Sequence, residues 1–240
     1  MISISAVVLT KNSEKTLDPC LKSISFANEI VVVDDFSQDK TIEIAKKHKA
    51  KIYKRKLNGD FAGQRNFALQ HTHEQWVLFL DSDEEFIGGK PDLSDDYSGY
   101  YINRKDIFLD MEIKHGEAGR VKLIRIARKD AGKWKRKVHE YWDIGGKIGT
   151  LKNKILHNSH PIVKDFISKV NFYAIIHASE NQKEGKRSNL LKILFFPLFK
   201  FLDSFLIKGG FFDGIHGFVY AAIMSFHSFL VWSVIWIKQK

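Results

Sequence analysis

Residues 76–86 read Trp-Val-Leu-Phe-Leu-Asp-Ser-Asp-Glu-Glu-Phe. The five apolar residues at the start predict a buried strand of the kind found inside a parallel sheet. The strand ends in four carboxylates within five residues, namely Asp81, Asp83, Glu84 and Glu85. Like charges this close together repel one another unless a positive charge lies among them. The stretch therefore predicts a strand that leads into a site for a cation.

The eighty residues that end with this strand alternate between two patterns. Apolar runs predict strands at 4–9, 30–33, 51–54 and 76–80, and helical spacing predicts helices over 13–26, 39–48 and 61–70. This alternation predicts a mostly parallel sheet with helices on both faces. Ligands of such sheets bind beyond the carboxyl ends of the strands. We therefore expect the ligand to meet the polar residues that directly follow strands: Thr10, Asn12, Asp34, Asp35, Asp81 and Asp83.

The Asp81–Asp83 pair is a candidate site for a divalent metal. Carboxylate oxygens suit hard cations, and Mg²⁺ prefers one or two carboxylates together with substrate phosphates. An Mg²⁺ or Mn²⁺ ion that bridges to a diphosphate would supply the missing positive charge. The alternative is that Asp81 or Asp83 caps a following helix, or that the cluster is a solvated turn. Glu84 and Glu85 are expected only to cap the next turn or to support the site.

The other polar residues after strands suit a nucleotide. A buried Asp34 or Asp35 can accept a hydrogen bond from the ring N–H of a base, as carboxylates do from other base donors. Thr10 and Asn12 offer small donors and acceptors to the same crevice. Arg65 would supply a planar fork for a base carbonyl or a phosphate, or would form an ordinary surface ion pair.

Four motifs in this order resemble family 2 glycosyltransferases of the GT-A fold: VVLTKN (7–12), VVVDDFSQDKT (31–41), GQRNFAL (63–69) and FLDSDE (79–84). The resemblance covers roughly the first 90 residues. It implies a nucleotide-sugar donor, with Asp35 near the uracil, Arg65 supporting the base and Asp81 at the ribose. Asp83 would hold the divalent metal on the diphosphate. One departure is Phe36, where members of the family often carry Gly.

Three motifs in the second half resemble the branch that adds β-glucose to the inner core of bacterial lipopolysaccharide. They are Val138-His139-Glu140, Lys169-x-Asn171-x-Tyr173 and Gly209-Gly210-Phe211-x-Asp213-Gly214-x-x-Gly217. The family resemblance implies inversion by a single displacement, which needs a general base near the acceptor hydroxyl. Glu140 is our candidate base, with Asp110 and Glu117 as weaker ones. Glu140 would otherwise be an ordinary ion pair with the cations of residues 135–137.

The basic and aromatic stretch 133–137 suits an anionic acceptor that carries sugars. Trp134 would pack against a sugar ring while Arg136 meets a phosphate. His139 would orient Glu140 or help to bind the metal, although a lone His beside aromatic residues is more often structural. Nucleic acid also fits such a patch, but no nucleic-acid-binding motif is present.

Composition and the C-terminal region point to a membrane surface. The formal charge of +10 favours an anionic partner, and the single cysteine excludes a disulfide framework. The N-terminus predicts a first strand instead of a signal peptide, which favours the cytosol. Residues 190–207 are rich in Leu and Phe, and residues 218–237 carry no formal charge over a length that would span a bilayer. Three interpretations stay open: an in-plane anchor on an anionic leaflet, a helix packed in the protein or an oligomer, and a single span.

The sequence thus predicts an α/β GT-A fold with a donor-binding half (1–98), an acceptor-binding half (99–187) and a C-terminal apolar helical region that associates with membranes (188–240). The predicted activity is metal-dependent, inverting transfer of a hexose, glucose first, from a UDP-sugar to a lipid-linked glycan. The expected location is the cytosolic face of a bacterial inner membrane. The alternatives are transfer to polyprenyl phosphate and a non-catalytic membrane scaffold with the same fold. A nucleotidyl-transferring enzyme is disfavoured because no Gly-rich phosphate loop is present.

Overall fold

The protein folds into two compact units. The structure is a computed structural model that describes residues 2–160 and 162–239. The first unit comprises Met1–Arg104 with Lys122–His157, and the second comprises Lys105–Val121 with Asn158–Lys240. Each unit has apolar clusters of its own. These bounds differ from the predicted ranges 1–98, 99–187 and 188–240, whose roles stay predictions.

The strands and helices follow one another in a regular order. The strands of the described residues are β1 (Ile4–Thr10), β2 (Glu29–Asp34), β3 (Lys51–Lys54), β4 (Trp76–Asp81), β5 (Glu84–Ile87), β6 (Gly99–Phe108), β7 (Met111–Ile113), β8 (Lys122–Arg128), β9 (Gly132–Lys135), β10 (Tyr141–Ile144) and β11 (Ile148–His160). The helices are α1 (Leu17–Ser23), α2 (Thr41–Lys47), α3 (Phe61–Gln70), α4 (Val163–Lys183), α5 (Leu190–Leu202) and α6 (Gly214–Lys238). A π turn, Asp203–Ile207, and a 3-10 turn, Gly210–Asp213, lie between α5 and α6.

The predicted parallel strands β1 to β4 are confirmed. β1 lies between β2 and β4, and its Val7 pairs in parallel register with Val31 on one side and Phe79 on the other. All residues of β1 are buried, as expected of a strand covered on both faces. The shared direction brings the carboxyl ends of β1, β2 and β4 to one edge of the sheet, where the polar residues follow.

Beyond β4 the sheet becomes antiparallel. The strand order is β3-β2-β1-β4-β8-β6-β11-β5, and β8 runs antiparallel to β4. The sheet is therefore mixed, with its parallel part confined to the first four strands. Glu84 and Glu85 lie in β5, which pairs with β11, so the expectation that they cap a turn is wrong. Alternation along β5 turns Glu84 and Phe86 inward, and both are buried.

The second unit contains α4, α5 and α6. Gln182 near the end of α4 contacts the end of α6, whereas Ser188 before α5 is bonded to Gln239 after α6. Thus α4 runs parallel to α6, and α5 runs antiparallel to it. The segment Gly210–Lys238 is long and apolar enough to cross a membrane by length and composition.

The glycine-rich motif before α6 has a structural role in this unit. Asp213 Oδ2 accepts hydrogen bonds from the backbone N–H groups of Lys114 and His115, at 3.1 and 2.8 Å. Gly217 lies against the turn, where an added Cβ would overlap the carbonyl oxygen of Gly210. The motif therefore fixes how α6 begins.

Candidate active site

Two buried arginines lie among the carboxylates at the end of β4. Arg65 of α3 donates from Nη2 to Asp81 Oδ1 at 2.8 Å, and Arg125 of β8 donates from Nη2 to Asp81 Oδ2 at 3.0 Å. Arg65 also contacts Glu140 Oε1 through Nε at 3.0 Å and Nη2 at 2.9 Å. The positive charge predicted at this strand end is thus supplied by the protein itself.

Glu84 is a buried carboxylate that contacts Arg125 from the interior of the protein. Its side chain is 0% exposed, and its Oε1 lies 3.4 Å from Arg125 Nη2 and 3.8 Å from Arg104 Nη1. Glu84 Oε2 accepts from the backbone N–H of Asp81 at 3.0 Å. We call Arg65, Asp81, Glu84, Arg125 and Glu140 the charge cluster. Its members come from α3, β4, β5, β8 and the turn before β10, so it joins most of the first unit at one point.

The charges of the cluster shift the pKa values of its two central carboxyls in opposite directions. Burial alone would raise the pKa of Asp81, but the charges of Arg65 and Arg125 outweigh it and hold that pKa well below its usual value. Burial raises the pKa of Glu84, and the Asp81 charge adds to the rise against the opposing charge of Arg125. Asp81 is therefore the ionised partner of the arginines, and Glu84 is the carboxyl that gains a proton more readily.

Arg65 is thus bound within the protein, whereas the Asp81 side chain stays partly exposed. Arg65 is 1% exposed and its guanidinium lies over the Trp134 ring, 4.7 Å from the centroid. This arrangement leaves no open face for the base, so the predicted contact between Arg65 and the base does not fit the structure. Arg65 instead holds Asp81 and Glu140 in place.

The loop after β2 is held by Asp34. This carboxylate is fully buried and accepts from the backbone N–H of Ser37 at 3.0 Å, so it is an internal anchor and not an open ligand contact. Asp35 is turned the other way: its Oδ2 lies 2.7 Å from Lys11 Nζ, and its Oδ1 accepts from Leu57 N at 3.1 Å. Of the two predicted carboxylates, Asp35 is the one that reaches a cavity.

Asn12 and Thr10, the predicted polar residues at the end of β1, also differ in burial and in hydrogen bonding. Asn12 Oδ1 accepts from Gln38 N at 2.8 Å, which joins the loops after β1 and β2. Thr10 is buried, and within residues 2–160 and 162–239 its Oγ1 has no hydrogen-bond partner. The predicted contact of Thr10 with the donor therefore requires a ligand that reaches below the surface.

An open cavity of about 390 Å³ lies at this edge of the sheet. It is lined by Lys11, Asn12, Asp35, Phe36, Gln38, Lys56 and Asn58. Phe36 has a positive φ of 55°, an uncommon conformation for a bulky residue, and Lys56 Nζ lies 5.9 Å from its ring centroid. Phe36, at a position where members of the family often carry Gly, thus adds an aromatic face to the cavity. Two lysines, Lys11 and Lys56, also line it.

Asp83 has a neighbour that can share a metal. His157 of β11 lies with Nε2 3.7 Å from Asp83 Oδ1, and both side chains are partly exposed. The Asp83 carboxylate with substrate oxygens suits either Mg²⁺ or Mn²⁺, whereas an imidazole ligand from His157 favours a transition metal such as Mn²⁺ over Mg²⁺. The predicted partner Asp81 fits such an ion less well, because both of its oxygens are held by arginines.

The predicted acceptor residues Trp134, Arg136 and His139 occupy different surroundings in the hairpin of β9 and β10. Trp134 is buried at 4% exposure, where its ring packs against Phe79 and stacks on Trp142. It is therefore a core residue, and the prediction that it contacts an acceptor sugar is wrong for this structure. Arg136 and His139 lie in the connecting turn, each with a positive φ.

The weaker base candidates Asp110 and Glu117 belong to the second unit, and Glu117 is bound to Lys200 at 2.6 Å.

The sequence reasoning missed Arg125, Arg104, His157 and the inward position of Glu84. A signal was present in the strand Leu123-Ile124-Arg125-Ile126-Ala127, because a cation at a buried strand position must have an anionic partner. The register of β8 against β4 pairs Ile126 with Leu78, which brings Arg125 beside the end of β4. Likewise His157 pairs with Glu84, next to Asp83.

The N-terminal part of the chain matches a known protein family. The model of glycosyl transferase family 2 matches residues 5–90, which contain β1 to β5 and most of the site. The resemblance to family 2 glycosyltransferases is confirmed. Together with the sheet, this match confirms the GT-A fold.

Several relatives are similar over nearly the whole chain. An uncharacterized glycosyltransferase of Rickettsia bellii is 28% identical over 250 residues, which cover 95% of this chain and 84% of the relative. The lipopolysaccharide core biosynthesis glycosyltransferase LpsC of Rhizobium meliloti is 26% identical over 244 residues, covering 95% of this chain and 90% of the relative. The crystal structure of S. aureus TarS 1–349 in complex with UDP aligns with 89% of this chain and 75% of its own, at 18% identity and a TM-score of 0.45.

Proposed function

We propose that the chain is a metal-dependent, inverting glycosyltransferase that moves a hexose, with glucose as the first candidate, from a UDP-sugar to a lipid-linked glycan such as the lipopolysaccharide inner core. The observation that carries this proposal is the cavity beside Asp35 at the carboxyl edge of a sheet whose residues match family 2. Ligands of such sheets bind at this edge.

The chemistry of the cavity supports a nucleotide. Asp35 offers a carboxylate oxygen to the single ring N–H of a uracil, Asn12 offers its side-chain amide N–H to a base carbonyl, and the Phe36 ring offers a face on which a base can stack. Lys11 and Lys56 are cations of the same lining and suit the phosphates. Thr10 would bind the donor from the floor of the site.

Asp83 and His157 are the residues that would hold Mg²⁺ or Mn²⁺. When bound, the ion would stabilise the negative charge that develops on the departing diphosphate. The charge cluster keeps Asp81 ionised. Its carboxylate would accept hydrogen bonds from the ribose.

Glu140 is the proposed base. Arg65 binds one of its oxygens, Oε1, from two nitrogens, which fixes the direction of the carboxylate. The other oxygen, Oε2, would take the proton of the acceptor hydroxyl while the acceptor oxygen bonds to the sugar C1. The bond from C1 to the diphosphate oxygen breaks in the same step, with inversion at C1.

The nature of the acceptor follows from charge and apolar surface. The cations of the turn between β9 and β10, Arg136 and Lys137, suit acceptor phosphates. The apolar segment Gly210–Lys238 and the exposed apolar side chains of α5 favour an acceptor at a membrane surface, and the surface we propose is the cytosolic face of the bacterial inner membrane. The name of the relative LpsC supports a lipopolysaccharide acceptor, and polyprenyl phosphate is the alternative.

The experiment is a screen for UDP release from UDP-glucose, UDP-galactose and UDP-N-acetylglucosamine in the presence of Mn²⁺. We expect one donor to release UDP, with Glu140→Gln binding UDP normally but losing release. Glu43→Gln, an exposed carboxylate on α2, is the matched control and should keep release. A protein that releases UDP from no donor would be a scaffold, and full activity of Glu140→Gln would move the base elsewhere.

A further inference from the structure

The face of α5 that points away from the rest of its unit is made of large apolar side chains. None of the residues of α5, all of which the structure describes, is buried. Six of them, between 46% and 66% exposed, form the α5 stripe: Leu190, Leu191, Leu194, Phe195, Leu198 and Phe199. Their spacing follows the helical period, so the stripe is continuous along a helix of about 20 Å.

The opposite side of α5 packs on α6. Phe196 lies edge-on to Trp232 with ring centroids 4.9 Å apart, and Ser225 Oγ donates to the Pro197 carbonyl at 2.7 Å. A water-soluble surface helix turns its apolar face to the core and its polar face outward. In α5 the outward face is the more apolar one, which marks it as an interaction surface.

α6 is a supporting helix of its unit. Its buried residues Val231 and Ile235 lie in one apolar cluster with Ala174 and Ala178 of α4. α4 accompanies α6 along its length and exposes charged residues such as Lys164 and Lys169. Insertion of α6 across a bilayer would carry these charges into hydrocarbon, which is costly. This cost argues against the span interpretation, although α6 has the required length.

The charges that border α5 select among possible partners. Residues 183–208 carry six cations and two carboxylates. Four of these cations form ion pairs with carboxylates, two of which are Glu180 and Glu117 outside this range, so the excess around α5 is two cations. Lys192 Nζ lies over the Trp232 ring, 5.1 Å from its centroid, on the side of α5 that packs on α6. Lysines are depleted from the centres of protein–protein interfaces, whereas they flank the apolar face of helices that lie on anionic bilayers.

We infer that the α5 stripe lies flat in the interfacial layer of an anionic bilayer and is the element that holds the chain on the membrane, with α6 as its internal support. This inference deepens the proposed function, since it rests on the membrane association proposed there. It names the helix and the lipid charge that this association requires. The Phe and Leu side chains would enter the acyl boundary while the flanking lysines reach the headgroups.

The test is flotation of the full chain with vesicles of phosphatidylglycerol and phosphatidylethanolamine, compared with phosphatidylcholine vesicles. The variant Phe195→Ser/Phe199→Ser should weaken binding to the anionic vesicles on the order of tenfold to a hundredfold. The matched control is Phe226→Ser/Phe229→Ser, which removes two Phe rings of 44% and 40% exposure from α6. The control should keep binding within about twofold of the parent.

Two results would overturn the inference: equal loss of binding in both variants, or parent binding that is as strong on phosphatidylcholine as on anionic vesicles. Retained vesicle binding by the α5 variant, with a dimer of the parent that dissociates in the variant, would make the stripe a subunit interface. UDP release in detergent is measured on the same samples. Because release does not need the bilayer, its absence in the parent would refute the proposed transfer while leaving the vesicle result valid.

Discussion

Replacement of Arg125 by Leu tests whether the charge cluster holds the site together. Arg125 and Glu84 are both almost fully buried, and Asp81 keeps Arg65 when Arg125 is removed. The loss is therefore mainly the cost of leaving Glu84 buried with its nearest remaining cation, Arg104 Nη1, at 3.8 Å. Removing one partner of a buried ion pair costs about 3–5 kcal/mol of unfolding free energy, which we expect at neutral pH.

The pH dependence of this loss has a definite sign. Without Arg125 the pKa of folded Glu84 rises further above the unfolded value, because the main opposing charge is gone. The free-energy cost of burying ionised Glu84 is then absent below the unfolded pKa, where Glu84 is protonated in both states. This cost grows as pH rises. Arg125→Leu should thus approach parent stability in acid.

The assay is urea unfolding of the full chain at neutral and acid pH. The matched control is Arg128→Leu on the same strand, whose partner Asp95 is 74% exposed and which should lose only about 1 kcal/mol. The double variant Arg125→Leu/Glu84→Leu should recover much of the stability lost by the single one, since it leaves no buried charge unpaired. An effect of Arg125→Leu as small as that of the control, or no recovery in the double variant, would show that Arg125 does not compensate the buried charge of Glu84.

Three further predictions concern the rest of the fold. Burial would raise the pKa of Glu29, but hydrogen bonds from Lys51 and other groups lower it from 4.5 to about 2. Glu29→Gln should therefore cost about 3 kcal/mol at neutral pH, a difference that disappears as pH falls from 4.5 through 2 in acid unfolding; a constant difference would contradict this. Trp134→Ala should lower the unfolding free energy by about 3–5 kcal/mol, and a change in acceptor KM at unchanged stability would restore its acceptor role. Gly217→Ala should lower the thermal midpoint of unfolding because the methyl group meets the Gly210 carbonyl; an unchanged midpoint would show that the turn yields.

The parallel half of the fold could be predicted from the sequence because its signals are local. Apolar runs, helical spacing and polar residues after strands lie within short segments, and β1 to β4 appear where they were expected. Asp35 and Asp83 then follow from the rule that strand ends carry ligands. The identity of the family came from the same residues.

The other half of the site depends on strand order, which the local pattern does not encode. Arg125 and His157 reach Asp81 and Asp83 only because β8 follows β4 in the sheet and β11 pairs with β5. Trp134 looked exposed because cations flank it in the sequence, but the hairpin turns alternate residues inward onto Phe79. An apolar stretch of sequence likewise indicates that the surface it forms must be covered. It does not indicate whether protein or lipid covers that surface.

In the proposed function, a nucleotide and a divalent metal bind together at the carboxyl edge of β1, β2 and β4. Calorimetric titration with UDP, with and without Mn²⁺, tests it on the parent and on Asp83→Asn. We expect UDP binding that Mn²⁺ strengthens in the parent, and the loss of that strengthening in Asp83→Asn. UDP binding that is absent in the parent, or that Mn²⁺ strengthens equally in both proteins, would contradict it.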